Sequence, residues 1–314
     1  MKHFPAGIAV TTLFAAMLLF PKAVFNGASE GLLLWYQIIF PTLFPFLVIT
    51  NLLLATGGLR IISRVFGRLF RFVFRVSSGG TFAVLSGFLC GYPMGAKITA
   101  DLLKDGRITP QEGKYLLSFC NNTSPIFIIN FIVWKTFGMR SLLLPTLSIL
   151  ILVPVLLSFI FRKFYLNGQK YFPEIPAGTV SAGKTFNFSV FDSCMMNSFE
   201  AIVKVGGYII LFSVLLTLLQ EIPWQRSFIS ALAPTLEVTN GILLLKNTVS
   251  DINICYPAVT GLTAFGGFCS IAQTQCMLSG TDLRIFPYII EKLAAAAAAS
   301  LLAVLYLYLS QLTG

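Results

Sequence analysis

FLCGYPMGAK, residues 88–97, decides how this chain is read. It closes an uncharged run from Val76 to Ala96, yet it carries Gly91, Pro93 and Gly95 and ends on Lys97. Glycine and proline inside a helix cost about 1 and about 3 kcal/mol relative to alanine. A straight membrane span would not gather them at its middle with a charge alongside. Two half-helices that turn back through Gly91-Tyr92-Pro93-Met94-Gly95 would. Irregular backbone at membrane depth persists only where protein or a water-filled cavity covers it. The stretch therefore predicts a re-entrant helical hairpin over 79–103.

The rest of the chain supplies the membrane. Of 314 residues, 56% are hydrophobic and 11% are charged, against about 25% charged in a soluble domain. Seven stretches of 18 residues or more lack Asp, Glu, Lys and Arg: 4–21, 31–59, 76–96, 115–134, 141–161, 252–281 and 293–314. About 20 apolar residues cross a bilayer as a helix, so the fold class is an all-α polytopic membrane protein. The lipid bilayer is its first partner, and its place is a cell membrane. The basic, apolar N-terminus resembles a signal peptide, but its apolar run exceeds the usual h-region. It is read as a retained helix within 1–29.

The net charge of +10 concerns sidedness before nucleic acid, for which no site is expected. Arg60, Arg64, Arg68, Arg71 and Arg75 recur every three or four residues, opposite Ile, Val, Leu and Phe. That pattern makes an interfacial helix with its basic face toward headgroups. With the N-terminus in the cytoplasm, twelve basic residues fall inside (these five, Lys104, Arg107, Lys114, Arg162, Lys163, Lys170 and Lys184). Five fall outside: Lys22, Lys135, Arg140, Arg226 and Lys246. This is the bias that sets orientation. The cysteines, Cys90, Cys120, Cys194, Cys255, Cys269 and Cys276, form no CxxC pair, and His3 is the single histidine. No metal or other cofactor is expected, and the thiols read as small buried hydrophobes.

A second interruption, FCNNTSP at 119–125, puts Asn121, Asn122, Thr123, Ser124 and Pro125 inside a span. Polar residues there are costly and mark function. A third stretch, 252–278, breaks at Gly261 and Gly266-Gly267. The order of span, interfacial helix, broken hairpin and long helix occurs twice. Domains are therefore placed at 1–29, 30–138 with its hairpin at 79–103, 139–190 as a connecting span and cytoplasmic loop, and 191–314 with a hairpin at 255–280. An offset of 176 lays Gly91 on Gly267, Tyr92 on Phe268 and Lys97 on Gln273. Threaded by charge, the hairpins open to opposite sides, as in the inverted repeats of secondary transporters. The helix that follows 255–280 has no polar break to match 121–125, which argues against a symmetric site.

FPTLFPFLVITNLL, GFLCGYPMGAKITADLL, LLSFCNNTSPIFI and GGFCSIAQTQCML together resemble the sporulation integral membrane protein family YlbJ/SpoVV, over about 30–312. The resemblance places the chain with nucleoside-transporter gate domains and the concentrative nucleoside transporter core. It implies export of dipicolinate, a pyridine dicarboxylate, from the mother cell during spore formation, in the outer forespore membrane.

The expected substrate site lies between the hairpins and the polar break. Half-helix N-termini attract anions, and Lys97 would meet one carboxylate. Asn121, Asn122, Thr123, Ser124, Ser270, Gln273, Thr274 and Gln275 would supply hydrogen bonds. Tyr92 and Phe268 would flank a ring, with Gly91, Pro93 and Gly95 shaping the turn. Bland readings stand beside these. Lys97 can pair with Asp101 at i+4, and the asparagines can join helices. A gate for nucleosides, another small solute or a metal ion, and a scaffold that transports nothing, remain open, as does homo-oligomerisation. No catalytic set of acids and bases occurs in the spans, so an enzyme is not expected.

Overall fold

In the computed structural model, residues 4–166, 171–173, 185–221 and 232–313 are described. Fourteen named helices organise them: α1 (Phe4–Leu19), α2 (Pro21–Leu34), α3 (Phe40–Thr56), α4 (Leu59–Phe74), α5 (Ser78–Cys90), α6 (Met94–Lys104), α7 (Pro110–Cys120), α8 (Pro125–Phe127), α9 (Leu143–Tyr165), α10 (Phe188–Gln220), α11 (Val238–Thr248), α12 (Ile252–Phe265), α13 (Gly267–Met277) and α14 (Ile285–Thr313). Six helical stretches are long and apolar enough to cross a bilayer: Pro21–Thr56, Pro110–Phe137, Arg140–Tyr165, Phe188–Gln220, Ile252–Met277 and Ile285–Gln311.

Local chemistry sets most boundaries. Pro21–Thr56 is one continuous span although it contains Pro41 and Pro45, and a π-helical turn, Trp35–Ile39, precedes α3. α1 ends at Leu19 and Pro21 opens α2 as its first helical residue. Segment 64–74 of α4 meets α5 at 90°, the angle of a surface helix feeding an inserted one. Ser77 starts α5 by accepting from Gly80 N, and Gly91 ends it at φ +83°. α6 then packs back along α5, so the chain turns back on itself within 78–104. Thr109 caps α7 and Ser124 caps α8. From α8 a π-helical stretch continues over Ile128–Phe137.

The expectation of a second hairpin at 255–280 is corrected. α12 and α13 follow one another as a single span, Ile252–Met277, interrupted only where Gly266 and Gly267 take φ of +86° and +78°. α12 is held by α14 along its length. Gly261 lies against Ser300, whose Oγ donates to Pro257 O at 2.9 Å. Ala295, Ala299 and Ala303 face inward, so the alanine run of α14 is a close-packing surface. The second turn-back lies earlier: a helical turn at 232–236 reverses at Glu237 into α11. Lys170, Lys184 and Arg226 lie outside the described residues.

Two ends can be distinguished. At one, Arg162 Nη1 donates to Val73 O at 3.0 Å, and Phe172 N donates to Arg75 O at 3.0 Å. Gly280 lies beside Lys104 there. This is the basic end, and α5–α6 open toward it. At the far end Lys246 sits over Phe137 at 5.4 Å, and Gln311 Nε2 donates to Asn253 Oδ1 at 2.9 Å. α11 finishes at this end.

Candidate functional site

The backbone breaks converge. Tyr92 N donates to Asn122 O at 2.6 Å, which seats the tip of α5–α6 on the 121–124 interruption. A Cβ on Gly91 would press on Ser124, and one on Gly266 would reach the Tyr92 ring. Gly267 in turn lies against Thr235 O and Val238 N, at the second turn-back. These four irregular segments wall one cavity of about 40 Å³, closed laterally by the π-helical turn (Ile39), α3 (Thr42, Leu43) and α10 (Val205, Ile209). That volume holds about one water and is far below the 300 Å³ or more of a ligand pocket.

Its polar lining is Thr42, Thr123, Ser124, Glu237, Thr239, Ser270 and Gln273. Thr123 Oγ1 donates to Thr263 O at 3.0 Å, and Ser270 Oγ donates to Gly267 O at 3.0 Å. α13 begins here with no side chain capping its N-terminus. Glu237 caps α11 with both carboxylate oxygens, accepting from Thr239 N at 3.1 Å and Asn240 N at 2.8 Å. The helix N-terminus thereby offsets its charge.

Asn121 lies just behind the cavity as a junction. Its Oδ1 accepts from Ala96 N at 3.2 Å, and its Nδ2 donates to Thr274 Oγ1 at 2.9 Å and Tyr288 OH at 2.8 Å. Its carbonyl accepts from Lys292 Nζ at 3.1 Å. α6, α7, α13 and α14 are tied at one residue. Asn122 turns back on its own helix, donating to Phe119 O.

Of the residues expected at the site, Gly91, Tyr92, Thr123, Ser124, Ser270 and Gln273 line the cavity. Asn121 and Thr274 support it. Pro93 opens α6, and Gly95 packs on Cys120 O. Lys97 is not brought to it. Its Nζ pairs with Asp101 Oδ2 at 2.6 Å and reaches Asn51 Oδ1 at 3.5 Å, in a separate vestibule of about 810 Å³ that also contains Lys104, Arg107, Glu200 and Lys204. Phe268 and Gln275 are exposed. Phe268 meets Phe265 edge-on rather than flanking a ring opposite Tyr92. Sequence reasoning missed Glu237 and Lys292. An acid immediately before the apolar run of α11 is an N-cap signal that would have found the first. Nothing local marks the second, whose acceptor lies 171 residues away.

Six long apolar spans, interrupted helices packed tip to break, and polar side chains gathered at their meeting point define a polytopic helical membrane protein. The chain is 28% identical over 316 aligned residues to the sporulation integral membrane protein YlbJ of Bacillus subtilis (strain 168), across 90% of this chain and 77% of that protein. This likeness supports the YlbJ family and an integral membrane protein. No family model matches the chain, and no solved structure matches it.

Proposed function

We propose that the protein is a membrane transporter for a small polar solute, held where two hairpin tips (91–93 and 236–238) meet two span breaks (121–124 and 266–267). The observation that carries this reading is the convergence of all four on one small buried cavity whose wall carries hydroxyl, amide and carboxyl side chains. Breaks serving packing alone would have no reason to meet.

The two halves, in this reading, are inverted repeats in a register different from the 176-residue offset. α2–α3, α5–α6, α7–α8 and α9 answer to α10, the 232–248 turn-back, α12–α13 and α14. The first tip enters from the basic end and the second from the far end. Both are re-entrant, and Gly266-Gly267 is the counterpart of the 121–125 break. Paired broken segments in matching positions are the sign of a transporter site.

The solute class is a small anion, with dipicolinate, implied by the family resemblance, as the first to test. The open N-terminus of α13 and the cavity hydroxyls suit a carboxylate, and the basic residues of the vestibule suit its recruitment. One observation favours a second reading. Among the described residues that line the cavity, Glu237 is the only acidic or basic side chain, which fits a neutral solute such as a nucleoside equally well. Uptake of labelled dipicolinate into vesicles carrying the purified protein decides between them. Uptake above empty vesicles, blocked by other pyridine dicarboxylates and not by nucleosides, is expected. Flux equal to empty vesicles removes dipicolinate, and competition by nucleosides alone selects the second reading.

A further inference from the structure

The vestibule and the tip cavity lie along the same helix faces. On α3, Leu43 lines the cavity and Asn51 the vestibule, with Leu47 between them at spacings of four. On α10, Val205 lines the cavity and Asn197 and Ala201 the vestibule, with Ile202 between. On α13, Cys269 and Gln273 line the cavity, and Cys276 and Met277 the vestibule. The hairpin repeats the order, with Gly91 at the cavity, Met94 next, and Lys97 and Asp101 at the vestibule.

The intervening residues are apolar and fully covered. Leu47 and Met94 are each 2% exposed and Ile202 is 0% exposed. They belong to one packed cluster, against which Met277 also lies. From Leu43 to Asn51 the helix rises about 12 Å, so the separating layer is about one side chain thick. An apolar constriction of this kind closes a path by excluding water.

We propose that the vestibule and the tip cavity are two ends of one solute route, entered from the basic end and shut by a single apolar layer of Leu47, Met94 and Ile202. Met94 sits three residues beyond Gly91 on the hairpin, so displacement of that hairpin opens the layer and enlarges the cavity together. The route rests on the transporter reading, but its test uses no solute. A wrong solute leaves the route standing, and a wrong route leaves the uptake result standing.

The chain carries its own reporters, Cys276 in the vestibule and Cys269 in the cavity. Protein in membranes is treated with a charged, membrane-impermeant methanethiosulfonate and digested, and each cysteine is read by mass spectrometry. Cys276 should react and Cys269 should not. Leu47→Ala, Met94→Ala and Ile202→Ala should each speed modification of Cys269 by about tenfold, the factor given by ~1.4 kcal/mol of easier opening, with Cys276 unchanged as the control for folding. The proposal is overturned if Cys276 is unreactive in the native protein or if Cys269 reacts there as fast as Cys276. It is also overturned if Cys269 stays protected in every variant whose Cys276 still reacts.

Discussion

Lys292 Nζ donates to Asn121 O at 3.1 Å, reaching from α14 to the carbonyl left over where α7 ends inside the membrane. The side chain is 3% exposed. A cation at a helix C-terminus is favourable, but burying an ammonium costs several kcal/mol. Lys292→Met removes that cost together with the bond. The protein should therefore keep or raise its melting temperature in detergent while transport falls by about tenfold, ~1.4 kcal/mol of lost positioning. A drop in both would make the lysine a structural tie and nothing more.

Asn121→Ala deletes the side-chain acceptor for Ala96 N and the donor to Thr274 and Tyr288. Buried partners left unsatisfied cost about 1–3 kcal/mol each. Loss of about 3 kcal/mol or more is expected, read as a lower thermal midpoint. Asn122→Ala, which loses one bond within its own helix, should cost less than half as much.

Gly95→Ala places a methyl group against Cys120 O, a backbone atom that cannot swing aside. Gly207→Ala meets nothing within 4 Å and removes the entropic penalty of a helical glycine, about 1 kcal/mol. The first should depress the yield of folded protein in membranes and the second should leave or raise it. Equal yields would mean that α6 does not pack on the end of α7.

Lys97→Gln should change stability by less than about 1 kcal/mol, because its pair with Asp101 is open to solvent on one side. In the vestibule it acts by attraction over distance, which salt screens within about 8 Å at physiological ionic strength. KM for an anionic solute should rise at low salt, with kcat little changed, and the difference should fade at high salt. A kcat defect independent of salt would return Lys97 to direct contact with the solute.

Part of this arrangement was legible locally. FLCGYPMGAK announced a turn-back because glycine and proline constrain the backbone wherever the chain goes. FCNNTSP announced an interrupted span because polar side chains before a proline spoil both the helix and its lipid face. Gly266-Gly267 announced a break for the same reason, but a break can fold back or run on. Packing of α12 along α14 and of α13 on α10 decided that it runs on. The second tip was passed over because no glycine–proline cluster like that of 88–97 marks the chain around Glu237.

The sequence by itself determined the membrane class, the spans, the basic interfacial helix and the positions at which helices stop, since each follows from hydropathy or backbone chemistry within a few residues. Only the tertiary structure decided that Lys97 faces the vestibule, that Glu237 faces the cavity, and that Lys292 answers Asn121. The direction of a side chain depends on the rotation of its helix against partners far away in the chain. That rotation is set by the close packing of glycine and alanine faces between helices, which no local pattern encodes.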